Sequence, residues 1–455
     1  MQKKQFVTDL TVGSITPALL RFAYPVMLAN LLQTLYNMVD MAVIGKFVGS
    51  AGLSSVSAAG DIMHFFTFVG MGFATAGQIM VSQYVGAGKR KELNAVIGTL
   101  FSFVLAVGAG LGAIGIIFAD VFLDLINVPS EAYSGAHAYV ITSCTGMVFI
   151  FGYNIVSAVL RGMGDSKHPM IFIGFAAALN VILDLVFVAG LKMGAMGAAL
   201  ATVIGQGSSF LLCLVYLYRN REQFGFDFMP RSFVPARQPL RKIVTLGIPI
   251  VIQQSAGSIA LLFVGSFINS YGVTASAVTG VGNKLNNIAL IVANAMNTAG
   301  AANIGQNFGA GKIDRVKKIA YRVFAVDFVF EALLAVIILL IPEQVFGIFN
   351  KDEAVLSMAH DYAPVAAIAF MGYAFRSPSL AFINGLGHSK MNFYMGIVEG
   401  FVLRMGLTYL LGITFGLGLK GFWYGYTIGS YGYAVVIFPY FFSGKWRTRK
   451  SIAEA

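Results

Sequence analysis

Apolar residues run along this chain in long blocks and do not alternate with polar ones. Blocks of helical length fall at about 15–45, 54–84, 93–123, 132–160, 168–190, 194–218, 241–270, 276–308, 316–341, 355–384, 391–415 and 418–442. Each can cross a hydrocarbon layer of about 30 Å as an α-helix. A membrane β-barrel would show short alternating segments instead. The pattern predicts an all-α integral membrane protein of twelve spans. No separate apolar region followed by a small-residue cleavage site precedes the first span, so no cleaved signal peptide is expected.

The twelve spans are written as two sixes. Gly86-Ala87-Gly88-Lys89 recurs as Gly309-Ala310-Gly311-Lys312, and Thr75-Ala76-Gly77 as Thr298-Ala299-Gly300, both at an offset of 223. At the same offset, the stretch from Arg161 to Lys167 (RGMGDSK) answers that from Asn384 to Lys390 (NGLGHSK). Pro25 in span 1 answers Pro249 in span 7 one residue later. Such a repeat predicts two six-helix lobes, 1–218 and 243–455, joined by a basic, proline-containing linker at 219–242. Six is even, so both lobes enter the membrane in the same direction. They are then expected to be related by a pseudo-twofold along the membrane normal, with a cavity between them open alternately to either side.

Composition removes the alternatives. Hydrophobic residues make up 57% of the 455 residues and charged residues 11%, with a mean hydropathy of +0.76. So few charges cannot cover a water-soluble surface, and so apolar a chain cannot stay disordered. The net charge of +11 need not mean nucleic acid. Of the 31 Lys and Arg, 23 fall in loops on the side of the N-terminus (Lys3 and Lys4 among them), four on the opposite side and four within spans. Basic loops face the cytoplasm, so both termini are expected inside. The two cysteines, Cys144 and Cys213, lie in apolar runs and read as small core residues.

Polar groups at membrane depth carry the chemistry, because an ionisable side chain there costs about 2.5–3.5 kcal/mol on insertion scales. Span 1 holds Gln33, Tyr36, Asn37 and Asp40 at i, i+3, i+4, i+7, a polar stripe on one helical face. Pro25 can bend the same helix. Span 5 holds Asn180 and Asp184 on one face, and span 6 holds Ala198 and Thr202 on another. Counting from the outer ends, these groups fall at about one level. Two carboxylates, an amide oxygen and a hydroxyl suit a cation: Na⁺ at Asp40, Asn180, Asp184 and Thr202, or a proton shared between the carboxylates.

Other charges within spans are Asp61, Lys284 and Arg376. Asp61 and Lys284 coincide under the repeat and are read either as an interlobe ion pair closing the cytoplasmic side or as two snorkelling or independently hydrated residues. Arg376 is placed at the cytoplasmic end of the cavity. Asp327 with Glu331, and Glu399 with Arg404, read as structural pairs. Asn154, Gln253 and Met296 are candidates for contacts with flat, apolar ligands in the cavity. There is no GxxxxGK[ST], HExxH, CxxC or GxSxG in the chain, so no enzyme chemistry is expected, and no cofactor.

With these residues in hand, the chain resembles the multidrug and toxic compound extrusion (MATE) family. The likeness covers nearly the whole chain and rests on the six-plus-six repeat, the GAGK turns, residues 19–40 (LLRFAYPVMLANLLQTLYNMVD) and residues 161–170 (RGMGDSKHPM). The combination Asp40, Asn180, Asp184, Ala198 and Thr202 is similar to the cation-coupling site in the N-terminal lobe of that family's DinF-like branch. Gln33, Tyr36 and Asn154 resemble substrate-contacting positions there, and Asn37, Gln206, Gln253 and Met296 complete the expected set. The NorM-like branch places acids in helices 7 and 10, whereas here span 7 offers Gln253 and Gln254 and span 10 offers Arg376. The resemblance implies a prokaryotic inner-membrane antiporter that exports cationic or amphipathic drugs or toxins against H⁺ or Na⁺. One chain would suffice, in a lipid bilayer and with no nucleic acid. A lipid or lipid-linked saccharide flippase of the same architecture is the alternative.

Overall fold

The computed structural model describes residues 8–454. Lys3 and Lys4, counted above, lie outside them. Among the described residues there is no strand. Long helices follow the apolar blocks: α1 (Ile15–Phe47), α2 (Ser50–Gly86), α3 (Arg90–Ile117), α4 (Ser130–Thr145 with Met147–Gly162), α5 (Lys167–Gly190) and α6 (Gly194–Arg219). The second six are α7 (Arg237–Asn269), α8 (Val273–Gly309), α9 (Ile313–Leu340), α10 (Ala359–Gly385), α11 (Ser389–Thr414) and α12 (Gly418–Gly429 with Gly432–Phe442). Ten of these are long and apolar enough to cross a bilayer, and the bent α4 pair makes eleven. The pieces of α12 follow the twelfth apolar block but are each too short for that test.

Three helices depart from the simple rods that apolar length predicts. The two parts of α4 meet at 51° around Gly146, where any side chain would strike Val203 of α6. From Leu185 to Gly190, directly after Asp184, α5 widens into a π-helix. The same happens in α11 over Gly396–Met405 and again over Leu410–Thr414. Such i→i+5 turns are rare in helices and concentrate at functional positions.

The chain forms two compact units, residues 1–9 with 24–251, and 10–23 with 252–455. Two helices thus change unit partway, α1 next to Pro25 and α7 next to Pro249. Proline removes one backbone hydrogen bond and crowds the preceding turn, so each helix is weakest where it changes unit.

In the first unit, α2 packs on both parts of α4, and α3 covers them. The buried Phe151 ring lies against Gly70 and Gly108, which leave it room. The stretch after α6 is an ordered strap on α3, not a loose tether. Asn94 donates to Asp227 Oδ2 (3.1 Å) and Ser232 Oγ (3.2 Å) and accepts from the Asp227 N–H (3.2 Å). Thr99 accepts from the Ala236 N–H (3.0 Å), and Ser102 donates to the Phe233 carbonyl. Phe226 stacks on Phe101 at 5.9 Å between centroids. Bonds from the Met229 N–H and then Ser232 hold the Asp227 carboxyl below its ordinary range.

In the second unit, α8, α9 and α10 form the core. The segment preceding α1 docks there. The Leu10 N–H donates to Gln306 (3.0 Å), Asn307 donates to the Leu10 carbonyl (3.0 Å), and Lys312 and Arg315 donate to the carbonyls of Thr11 and Val12.

The repeat places Asp165 and His388 at one position, and both cap a helix. Asp165 Oδ1 accepts from the N–H groups of Lys167 and His168 at 3.1 Å each. His388 Nδ1 accepts from the Met391 N–H. Burial, and then the charge of Arg449, push the His388 pKa down to about 4. An imidazole must be neutral to accept, so the cap is present at neutral pH.

Two outcomes follow. Gly98→Ala would drive a methyl into the Ser232 carbonyl and should free the strap, seen as faster proteolysis within 225–236 at unchanged helicity. For His388 the folded pKa lies below the ordinary value of 6.5. Its contribution to stability is therefore complete above that value and is lost as pH falls toward about 4. His388→Asp, which installs the first-half cap, should remove this part of the acid sensitivity in thermal melts.

Candidate ion and substrate site

The polar stripe of α1 divides by burial. Tyr36 and Asp40, four residues apart, are buried in the first unit, whereas Gln33 and Asn37 are exposed. The Tyr36 hydroxyl interacts with Gln33 and Gln206 and is close enough to Asp40 and Asp184 to feel their charge. Gln206, on α6, is itself buried with its Oε1 unpartnered. The arrangement runs from an open end at Gln33 and Asn37 to a closed one at Asp40 and Asp184.

Asn180 and Asp184 are almost wholly buried on α5. Asn180 Nδ2 donates to Thr202 Oγ1 of α6 at 3.4 Å. The helices can meet there because α6 has Gly205 at the crossing. A Cβ at that position would sit 3.1 Å from the Ala176 carbonyl and 3.5 Å from Asn180 Cβ. Ala198 is fully buried and packs with Val43, Ile44, Val56 and Val188, fixing the N-terminal end of α6 against α1, α2 and α5.

Asp40 and Asp184 act on one another electrostatically. Asp40 Oδ1, Asn180 Oδ1 and both oxygens of Asp184 are buried with no hydrogen-bond partner. Buried polar atoms without partners are few in folded proteins, and each asks for a reason. Here they are acceptors only, so what they lack is a proton or a hard cation. Among the described residues no group of three or more His, Cys, Asp or Glu could hold a metal. The set here is two carboxylates, an amide and a hydroxyl.

Tyr139 belongs with this group and escaped the sequence reading. It feels Asp40, Tyr36 and Asp184 in that order. It stands on the first part of α4, and only the 51° bend of that helix separates its direction from that of the second part. Asn154, on the second part, is half-buried.

The remaining expected residues are dispersed. Gln253 is buried in the second unit and donates to the Tyr433 hydroxyl at 3.0 Å. Its backbone lies against Gly396, so it is part of the helix packing there. Met296 is likewise a core residue, 2% exposed. Neither position offers a surface to a ligand. Pro25 is buried at the unit change of α1. Asp61 and Lys284 are exposed in the first third of α2 and α8, and Lys284 lies over the Phe349 ring, 5.8 Å away. That is the end of the helices where α1 and α7 finish, opposite to the chain's N-terminus. A pair closing the N-terminal side does not fit this placement. Arg376 lies 3.8 Å from Glu399 and over the Tyr433 ring.

Glu399 also binds Arg404 at 2.5 Å. Five residues apart, the two would diverge on an α-helix, and the π-helix of α11 stacks them. Arg404 lies over Tyr426 and lines a cavity of about 360 Å³ with Asn283, Asn286, Tyr373 and Trp423. The pairing of Glu399 with Arg404 was read from the sequence; the approach of Arg376 and the cavity beside them were not.

Comparison with known proteins identifies the class. Residues 25–186 and 249–410 each match the MatE family, and the matches begin at the two prolines of the repeat. The chain belongs to this family, and is therefore a multi-pass secondary transporter and not an enzyme. It is 27% identical over 449 residues to the probable multidrug resistance protein YpnP of Bacillus subtilis, covering 98% of this chain and 99% of that one. It is 25% identical to the probable multidrug resistance protein NorM of Thermotoga maritima, over 98% and 96% of the two chains. Among solved structures, an outward-facing multidrug resistance MATE family transporter of the MOP superfamily shares the fold with a TM-score of 0.90. The identity there is 22%, over 99% of this chain and all of that one.

Gly205→Val should separate α5 from α6 and break the Asn180–Thr202 bond. Transport should then fall to the level of an Asp184 variant, while Thr202→Ala, which removes one weak bond of about 1 kcal/mol, should leave most of it. Initial export rates of the two variants at equal membrane expression would check this.

Proposed function

We propose that this chain exports small amphipathic or cationic organic molecules from a prokaryotic cell in exchange for a cation entering through Asp40 and Asp184. The single observation that supports it best is the carboxylate pair of the first unit, buried with four acceptor oxygens in its neighbourhood and no donor for any of them. An empty, ionised pair in that setting is unfavourable, and cation binding relieves it. The ion must bind the outward-open and inward-open states unequally, or its gradient drives nothing. Tyr36 and Gln206 connect the pair to Gln33, so a change at the carboxylates is passed to the exposed part of the stripe, where substrate is expected. Pro25 gives α1 the place to bend. The relatives named multidrug resistance proteins support the substrate class, and the basic loops support cytoplasmic termini in an inner membrane.

The test uses purified protein in liposomes with a fluorescent cationic dye, under a pH gradient alone and then a Na⁺ gradient alone. Export should follow one of the two and so name the ion. Asp40→Asn and Asp184→Asn should each reduce gradient-driven export to the protein-free background while leaving the protein folded. Export unchanged in both variants would overturn the assignment. Dye held immobile under both gradients, with a labelled lipid moved instead, would establish the flippase.

A further inference from the structure

The two halves of the repeat part company at one buried place. Shifted by 223, α3 falls on α9 from end to end, with Val104 on Asp327 and Gly108 on Glu331. Phe151 of α4 falls on Ala374 of α10. In the first unit the three form an apolar plug, the Phe151 ring against Gly108 beside fully buried Val104. The second unit keeps the helix pairing and exchanges the ring for a methyl group and two carboxyls. A mid-membrane core has no use for acids as filling, since a hydrocarbon side chain packs there at no desolvation cost.

Asp327 and Glu331 are four residues apart on one face, midway along α9, and neither has measurable exposure. All four carboxyl oxygens lack a hydrogen-bond partner. The neighbours do not supply one. On α10, Ser377 stands beside Asp327 but gives its single proton to the Ala293 carbonyl of α8 at 2.7 Å. Tyr373 is the titratable group that faces Glu331, and it also faces Arg404 and Arg376. Those two arginines are engaged by Glu399. No Lys, Arg or His acts on either carboxyl among the described residues, whose electrostatic partners are each other, Ser377 and Tyr373. In the short helix Pro342–Gly347 beyond α9, Glu343 is exposed and paired with His360 at 3.1 Å.

Two adjacent negative charges with no donor and no counter-charge cannot persist at this depth. A proton on one carboxyl removes a charge and creates an O–H that the other can accept. We propose that Asp327 and Glu331 form a second proton-binding site, in the second unit, which holds at least one proton between its two carboxyls and exchanges it during transport. The Asp40 and Asp184 group includes an amide and a hydroxyl and so suits Na⁺ as well. This pair has neither a free amide nor a spare hydroxyl proton, and its chemistry is that of H⁺. The use of the site in transport rests on the antiport reading above; its existence does not.

Infrared difference spectra between mildly acidic and strongly alkaline buffer report protonated carboxyls directly. The measurement is made on purified full-length protein in lipid nanodiscs, carrying Asp40→Asn and Asp184→Asn so that the other pair is silent. The carboxylic acid carbonyl band should remain, respond to pH, shrink with Glu331→Gln and vanish when Asp327→Asn is added. A band untouched by these substitutions, or one that never responds to pH, would overturn the proposal. Should the amide variants fail to fold, the triple change Asp327→Val, Glu331→Gly and Ala374→Phe installs the first-half plug and should fold without the band. With Asp40 and Asp184 intact, Glu331→Gln should lower the charge moved per substrate. Loss of the antiport reading would show as unaltered export in Asp40→Asn, with the band still present.

Discussion

A carboxylate buried in a hydrocarbon slab, with no donor at its oxygens, is the constraint from which the rest of this molecule can be understood. Water is absent at that depth, so whatever satisfies the charge must come from the protein or be carried in. The protein does so for Glu399, which Arg404 of the same helix and Arg376 of α10 hold. It does not do so for Asp40 and Asp184, whose orphaned oxygens stand beside an amide and a hydroxyl. A protein built on that difference has fixed charges that hold its packing and, in the function proposed above, unfulfilled ones that respond to an ion.

Backbone irregularities put these groups where they are. The π-helix after Asp184 begins at the carboxylate itself, and its counterpart in α11 lies at nearly the same position of the repeat. The additional π-helix in α11 alone stacks Glu399 on Arg404. Glycines do the complementary work. Gly205 lets α6 come close enough for Thr202 to meet Asn180, and Gly146 turns α4 so that Tyr139 reaches the same group. The two halves thus share helices and turns, as Asp165 and His388 share a cap, while their buried chemistry has diverged.

Much of this was legible in the chain. Long apolar blocks and the GAGK turns showed the helices and the repeat, because both are patterns of spacing. The faces of α1 and α5 were legible too, since i, i+4 periodicity holds wherever the helix is regular. It failed where the helix is not: Tyr139 lies before a bend, and nothing in the spacing brings Arg376 of α10 to the Glu399–Arg404 pair. Burial was the other blind spot. Gln253 and Met296 look like cavity residues by type, but whether an amide or a thioether faces a ligand or a neighbouring helix depends on Gly396 and Tyr433, far away in sequence. Asp61 and Lys284 were set at the wrong end of their helices, although the alternating direction of the spans already puts the starts of spans 2 and 8 opposite to the start of span 1.

The docking of the segment Leu10–Val12 has a consequence for biosynthesis. These residues leave the ribosome about three hundred positions before their partners Gln306, Asn307, Lys312 and Arg315. The opening segment must wait, unengaged at the membrane surface, until eight spans have been inserted. The second unit cannot then mature as an independent fragment, because it contains residues 10–23, which are made before the whole of 24–251. Quality control that probes the exposed N-terminal arm would in effect be reading whether translation has reached the second GAGK turn.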